Sequence, residues 1–70
     1  MPLMSAELGK EVTIQRCQMN GELKRHVDNL GLIPGEKVTP IACNNGNLII
    51  KVKNSRLAIN MGVASKIFVS

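Results

Sequence analysis

Apolar and polar residues alternate along much of this 70-residue chain, and a period of two is the mark of a half-buried β-strand. From Glu11 to Arg16 the alternation puts Val12 and Ile14 on an inward face. From Leu48 to Lys53 it is clearest: Leu48, Ile50 and Val52 share one face, while Ile49, Lys51 and Lys53 share the other. Lys37 to Cys43 predicts a further strand. Pro40 has no N–H to give to a ladder, so that strand must bulge there or lie at an edge. Arg56–Ile59 and Lys66–Val69 bring the total to about five short strands.

One stretch follows the helical period instead. Leu23, Val27 and Leu30 stand at i, i+4 and i+7, a single apolar stripe. Asn20 is placed to cap the helix N-terminus, and Glu22 lies in the first turn, where the helix dipole favours negative charge. Gly31 supplies the left-handed residue that ends the helix, with Leu32 packing back on Val27. In Ile33-Pro34-Gly35-Glu36, proline presets φ and glycine accepts φ > 0, the signature of a type II turn. Asn44–Asn47 is a hairpin turn of type I′, and Asn54-Ser55 turns the chain again. Asn60–Ser65 suits a 3₁₀ turn. Gly9 marks an early turn, and Leu3 and Leu8 are expected to tuck under the sheet. The architecture this predicts is mainly β. It is a small SH3-like barrel of about five strands with one short inserted helix, spanning residues 1–70 as a single domain, because a chain this short cannot build two full sheets.

Composition sharpens the picture. Apolar residues make up 44% of the chain and Phe68 is the one aromatic, so the core must be aliphatic. The formal charge is +4 and lies to one side. Beyond Glu36 there is no acidic residue, whereas Lys37, Lys51, Lys53, Arg56 and Lys66 all fall there. That half offers a basic surface to an anionic partner, or a solvated face that keeps a small domain in solution. The first residues lack the positive start and apolar stretch of a signal peptide, and no apolar run approaches the ~20 residues of a membrane span. The chain therefore reads as complete from Met1, cytoplasmic and not inserted in a membrane. Cys17 and Cys43 match no C-x-x-C pattern, and in a reducing compartment they are expected to be free, half-buried thiols.

No catalytic constellation is visible, so the expectation is a binding protein rather than an enzyme, with no cofactor. His26 is the sole histidine, and nothing in the spacing places Cys17 or Cys43 beside it as a nucleophile pair. Metal ligation by His26, Cys17 and Cys43 fits the composition but lacks the close ligand pairs of a convincing site. Glu7, Glu11, Glu22, Asp28 and Glu36 are scattered. A basic β-barrel invites nucleic acid, yet single-strand binders stack bases on aromatic platforms, and proline-rich ligands also need aromatic-lined grooves. Met19, Ile33, Ile49 and Met61 are apolar residues at turns or on the polar face of a strand. Each alone is expected to finish the core. Ile33, Ile49 and Met61, taken with Lys51 and Lys53, form the candidate partner surface.

The block Leu30-Gly31-Leu32-Ile33-Pro34-Gly35, followed by Val38, resembles the "LGL-x-PG-x-x-V" pattern of the ferrous iron transport protein A family. Leu57-Ala58-Ile59, then Ala64, then Ile67-Phe68-Val69 resemble that family's closing pattern, and Gly9 matches its early turn glycine. The likeness covers nearly the whole chain. Its glycines and proline are structural and identify a fold rather than an activity. It implies a small cytosolic accessory, an adaptor or regulator of ferrous iron transport protein B, a membrane permease with a cytosolic GTPase domain. The resemblance extends to the SH3-like C-terminal domain of metal-dependent repressors. A metal-binding regulatory domain is thus the alternative, followed by a basic nucleic-acid-binding barrel. The sequence leaves oligomeric state open.

Overall fold

A computed structural model describes residues 1–70. A short 3₁₀ turn at Leu3–Ser5 is followed by β1 (Val12–Cys17), α1 (Gly21–Asn29), β2 (Lys37–Asn44), β3 (Asn47–Val52), β4 (Ser55–Asn60), α2 (Met61–Ala64) and β5 (Ile67–Val69). The strands form one antiparallel sheet in the order β4-β3-β2-β1-β5.

The sheet bends because β1 divides its pairing. Its start pairs with β2 through Val12 and Val38, and its end pairs with β5 through Arg16 with Phe68 and Cys17 with Ile67. An irregularity between Ile14 and Arg16 allows the change of direction. Thr13 exchanges both backbone hydrogen bonds with Ser70, at 3.0 and 2.9 Å. Ile14 turns the other way. It accepts from the Gly35 amide at 2.8 Å and donates to the Glu36 carbonyl at 2.9 Å. Two residues thus oppose one, with Gly35 at φ +92°, which is a G1 bulge. The Glu36 amide also donates to the Ile33 carbonyl at 3.0 Å, closing the type II turn expected there. Turn and bulge make the same demand on Gly35.

Helix α1 ends as its sequence requires. The Gly31 amide donates to Asp28 and the Leu32 amide to Val27, the paired bonds of a Schellman motif, with Gly31 at φ +87°. Its start differs from expectation. Asn20 precedes the helix but makes no capping hydrogen bond, because the chain enters through Gly21 at φ +67° rather than through a helical residue. The asparagine that does cap is Asn60, whose Oδ1 accepts from the Gly62 amide at 2.6 Å. The segment after it is one α-turn rather than 3₁₀, closed by the Ser65 amide on the Met61 carbonyl.

The β2–β3 hairpin turns at Asn45 and Gly46, both at positive φ, as type I′ demands. Pro40 sits beside the bulge anticipated for it and, although β2 lies between β3 and β1 in the sheet, is paired with β3 alone. Beyond Val38, β2 has left β1, and the Pro40 carbonyl accepts instead from the Gly9 amide. The β3–β4 turn comes one residue earlier than expected, at Lys53-Asn54. Lys53 therefore belongs to the turn, at φ +55°, rather than to the outer face of the strand.

Fourteen buried residues form the core, every one of them Leu, Ile, Val or Ala. Leu3 is fully buried, but Leu8 is 49% exposed and does not join the core. No polar side chain is buried. Both cysteines are free thiols: Cys17 is half-buried as expected, whereas Cys43, near the end of the β2–β3 hairpin, is exposed.

Two substitutions test the turn assignments. A Cβ at Gly31 or Gly35 would meet no atom within 4 Å, so any cost comes from positive φ alone. Gly35→Ala is expected to cost about 1–2 kcal/mol and Gly31→Val more than about 1 kcal/mol, measured by denaturant unfolding. Asn60→Ala should cost about 1 kcal/mol and Asn20→Ala less than about 0.5 kcal/mol, since only Asn60 caps.

Candidate partner-binding surface

The outward side chains of the β2–β3–β4 face follow from strand register. Thr39 pairs with Lys51, and Lys51 pairs in turn with Arg56, so these three stand in one row across the strands. Lys37 lies one step along β2, and Lys53 lies at the hairpin end. Lys37, Thr39, Lys51 and Lys53, with Glu11 and Glu36, line a groove of about 280 Å³ that contains no apolar side chain.

The cations of this face are unpaired. The one ion pair in the molecule is Lys24 to Asp28 on α1, at 2.7 Å, and no other carboxylate lies within 4.0 Å of a basic group. That pairing raises the Lys24 pKa, chiefly through the hydrogen bond to Asp28. Lys51 and Arg56 face each other directly across two strands, an arrangement of like charges that destabilises a sheet.

The other expected surface residues do not join this groove. Ile49 is half-buried between Ala42 and Ala58 on the outer side of β3. Ile33 is 43% exposed at the type II turn, and Met61 is half-buried against the core at the start of α2. Met19 also packs against the core. His26 is exposed on α1 and lines a separate, largely apolar groove with Val27, Leu30, Ala58, Ile59 and Val63. The Cys17 thiol donates to the Leu32 carbonyl at 3.6 Å. Nowhere do three His, Cys, Asp or Glu side chains converge on a common point, so His26, Cys17 and Cys43 do not form a ligand set.

Two features escape sequence reading. Arg56 joins the lysines through cross-strand pairing alone. Phe68 is half-buried and carries the Arg16 guanidinium over its ring, 4.7 Å from the centroid. Only the β1–β5 register, with its irregular step, places that pair.

Comparison with known proteins fits this geometry. The model of the FeoA domain matches residues 1–70. The chain belongs to the FeoA family. A protein of Methanocaldococcus jannaschii named for Fe(2+) transport as protein A is 34% identical over 68 residues, covering 97% of this chain and 83% of its own. Among solved structures, iron(II) transport protein A of Clostridium thermocellum superposes with a TM-score of 0.94 at 24% identity. The whole chain is covered, and it spans 44% of that protein. FeoA of Stenotrophomonas maltophilia, solved with zinc and described as a procaryotic SH3 domain protein, gives 0.86 at 24% identity, over 100% of this chain and 89% of its own. A manganese-dependent transcriptional repressor gives 0.90 at 15% identity, with all of this chain matched to 35% of the repressor. These structural likenesses establish the SH3-like fold that this FeoA-family chain shares with them. No helix of the chain is long and apolar enough to cross a membrane.

Burial holds the Cys17 thiol above its ordinary pKa, with Lys24 partly opposing and Asp28 adding to the rise. A raised pKa leaves less thiolate, the nucleophilic form. Iodoacetamide near pH 8 should therefore alkylate exposed Cys43 before Cys17, as read by peptide mass spectrometry. Equal rates would contradict the burial of Cys17.

Proposed function

We propose that this chain is a non-catalytic accessory of ferrous iron uptake, acting in the cytoplasm as an adaptor or regulator of the permease ferrous iron transport protein B. The FeoA match over residues 1–70 carries this reading. The S. maltophilia relative is itself discussed as a candidate ferrous iron transport activating factor. Further support comes from a surface whose one strongly polar groove has unpaired lysines rather than a set of catalytic groups. On this reading Lys51 and Lys53 face the cytosolic portion of the permease, and their charge steers association. The apolar Ile33, Ile49 and Met61 lie outside the groove and serve as secondary contacts.

The test is ferrous iron uptake in a deletion strain complemented with wild type or with Lys51→Glu/Lys53→Glu, alongside binding to purified permease. Uptake should fall on deletion, return with wild type and return only weakly with the double variant. Uptake that survives deletion would contradict the accessory role. A fully active double variant would leave that role standing and exclude this face.

A further inference from the structure

The cations on the outer face of β2–β3–β4 are arranged at a cost to the fold. Lys51 and Arg56 oppose each other in register, where an opposite charge would stabilise the sheet. Lys53 holds φ +55° in a two-residue turn, a conformation that glycine or asparagine adopts more readily. No carboxylate lies within 4.0 Å of Lys37, Lys51, Lys53 or Arg56. Four positive groups thus share one surface, outnumbering the two nearby carboxylates, Glu11 and Glu36, neither of which lies within ion-pair distance of them.

We infer that this face binds an acidic, extended segment of polypeptide, seated across Lys51 and Arg56 and running along the groove past Lys53. The inference rests on the reading of this face as a partner surface and adds the chemistry of what docks there. Charge complementarity requires an anionic occupant. The groove itself selects among anions. It has no apolar or aromatic side chain, so it offers neither an anchor for acyl chains nor a platform for stacked bases. Glu11 and Glu36 line it beside the lysines. A continuous row of phosphates, on a membrane or a nucleic acid, would meet those carboxylates. A peptide can set discrete carboxylates on the cations and neutral residues on the glutamates. Alternate side chains of an extended peptide stand about 6.6–6.8 Å apart on one face. Lys51 stands on β3, Lys53 in the turn beyond it and Lys37 on β2, with Glu11 and Glu36 beside them, so acidic residues separated by neutral ones suit the surface.

The probe is a short fluorescent peptide with glutamate at alternate positions and threonine between, titrated into the full chain. Binding should saturate at one site and weaken as salt rises from about 50 to about 300 mM. Arg56→Glu should weaken it at least about tenfold while raising the melting temperature, because it turns a like-charge pair into an opposite one. Lys53→Gly, which removes a cation and relieves positive φ, should weaken binding without lowering the melting temperature. Arg25→Glu/Lys66→Glu makes a charge change on exposed positions away from this face and should keep affinity within about twofold. Unchanged affinity in Arg56→Glu, or an equal loss in Arg25→Glu/Lys66→Glu, would overturn the inference. Tighter binding to a DNA duplex or to phosphatidylglycerol vesicles than to the peptide would overturn it as well. Loss of uptake dependence sinks the accessory role and leaves peptide binding untouched, whereas failed peptide binding with uptake intact sinks only this inference.

Discussion

The backbone of Ile14 is the point on which the rest of the structure depends. Its carbonyl and amide are held by Gly35 and Glu36, while its neighbour Thr13 is held by Ser70 on the opposite edge. The bulge at Gly35 opposite Ile14, with the irregular step between Ile14 and Arg16, bends β1 at this point, and that bend wraps the five-stranded sheet around the aliphatic core. The other half of the grip is the turn following α1. It can dock only because Gly31 ends the helix and Pro34-Gly35 reverses the chain at once. The block shared with the FeoA family is therefore the segment that ties the helix to the sheet.

This arrangement also separates fold from recognition. With the core entirely aliphatic and no buried polar side chain, stability owes little to charge. Buried Val, Leu and Ile side chains each contribute about 1.5–3 kcal/mol, whereas an exposed charge pair contributes about 0–1 kcal/mol. The outer face of β2–β3–β4 can consequently hold Lys51 opposite Arg56 without endangering the domain. The cost is small enough to bear and large enough to be informative.

What the sequence made legible was what neighbouring residues decide among themselves. Gly31, Pro34-Gly35 and Asn45-Gly46 each pose a backbone requirement answered within four residues, and the alternation of Leu48, Ile50 and Val52 assigns faces without outside help. Features that need a distant partner were less legible. Both Asn20 and Asn60 precede helices, but only backbone entry geometry decides which one caps. The β3–β4 turn could fall at 53–54 or at 54–55. The two registers differ by a two-residue shift, so both keep Leu57 and Ile59 inward, and the hydrophobic pattern cannot choose. The choice nevertheless decides whether Arg56 faces Lys51 or Lys53. Leu8 illustrates the same limit: an apolar residue in a loop is not thereby buried.

The candidate surface was legible in its charge but not in its outline. Lys51 and Lys53 announced a basic face, and Lys37 and Arg56 joined it only through folding; Ile49 shares the outer side of β3 but not the groove, while Ile33 and Met61 lie at the type II turn and the start of α2. Two grooves of opposite character result, one polar and cationic, the other largely apolar between α1 and β4. The direct measurement is an amide chemical-shift titration of the isotope-labelled chain with the purified cytosolic portion of the permease. Shifts centred on Thr39, Lys51, Lys53 and Arg56 are the result this account predicts. Shifts confined to His26, Leu30, Ala58 and Val63 would contradict it.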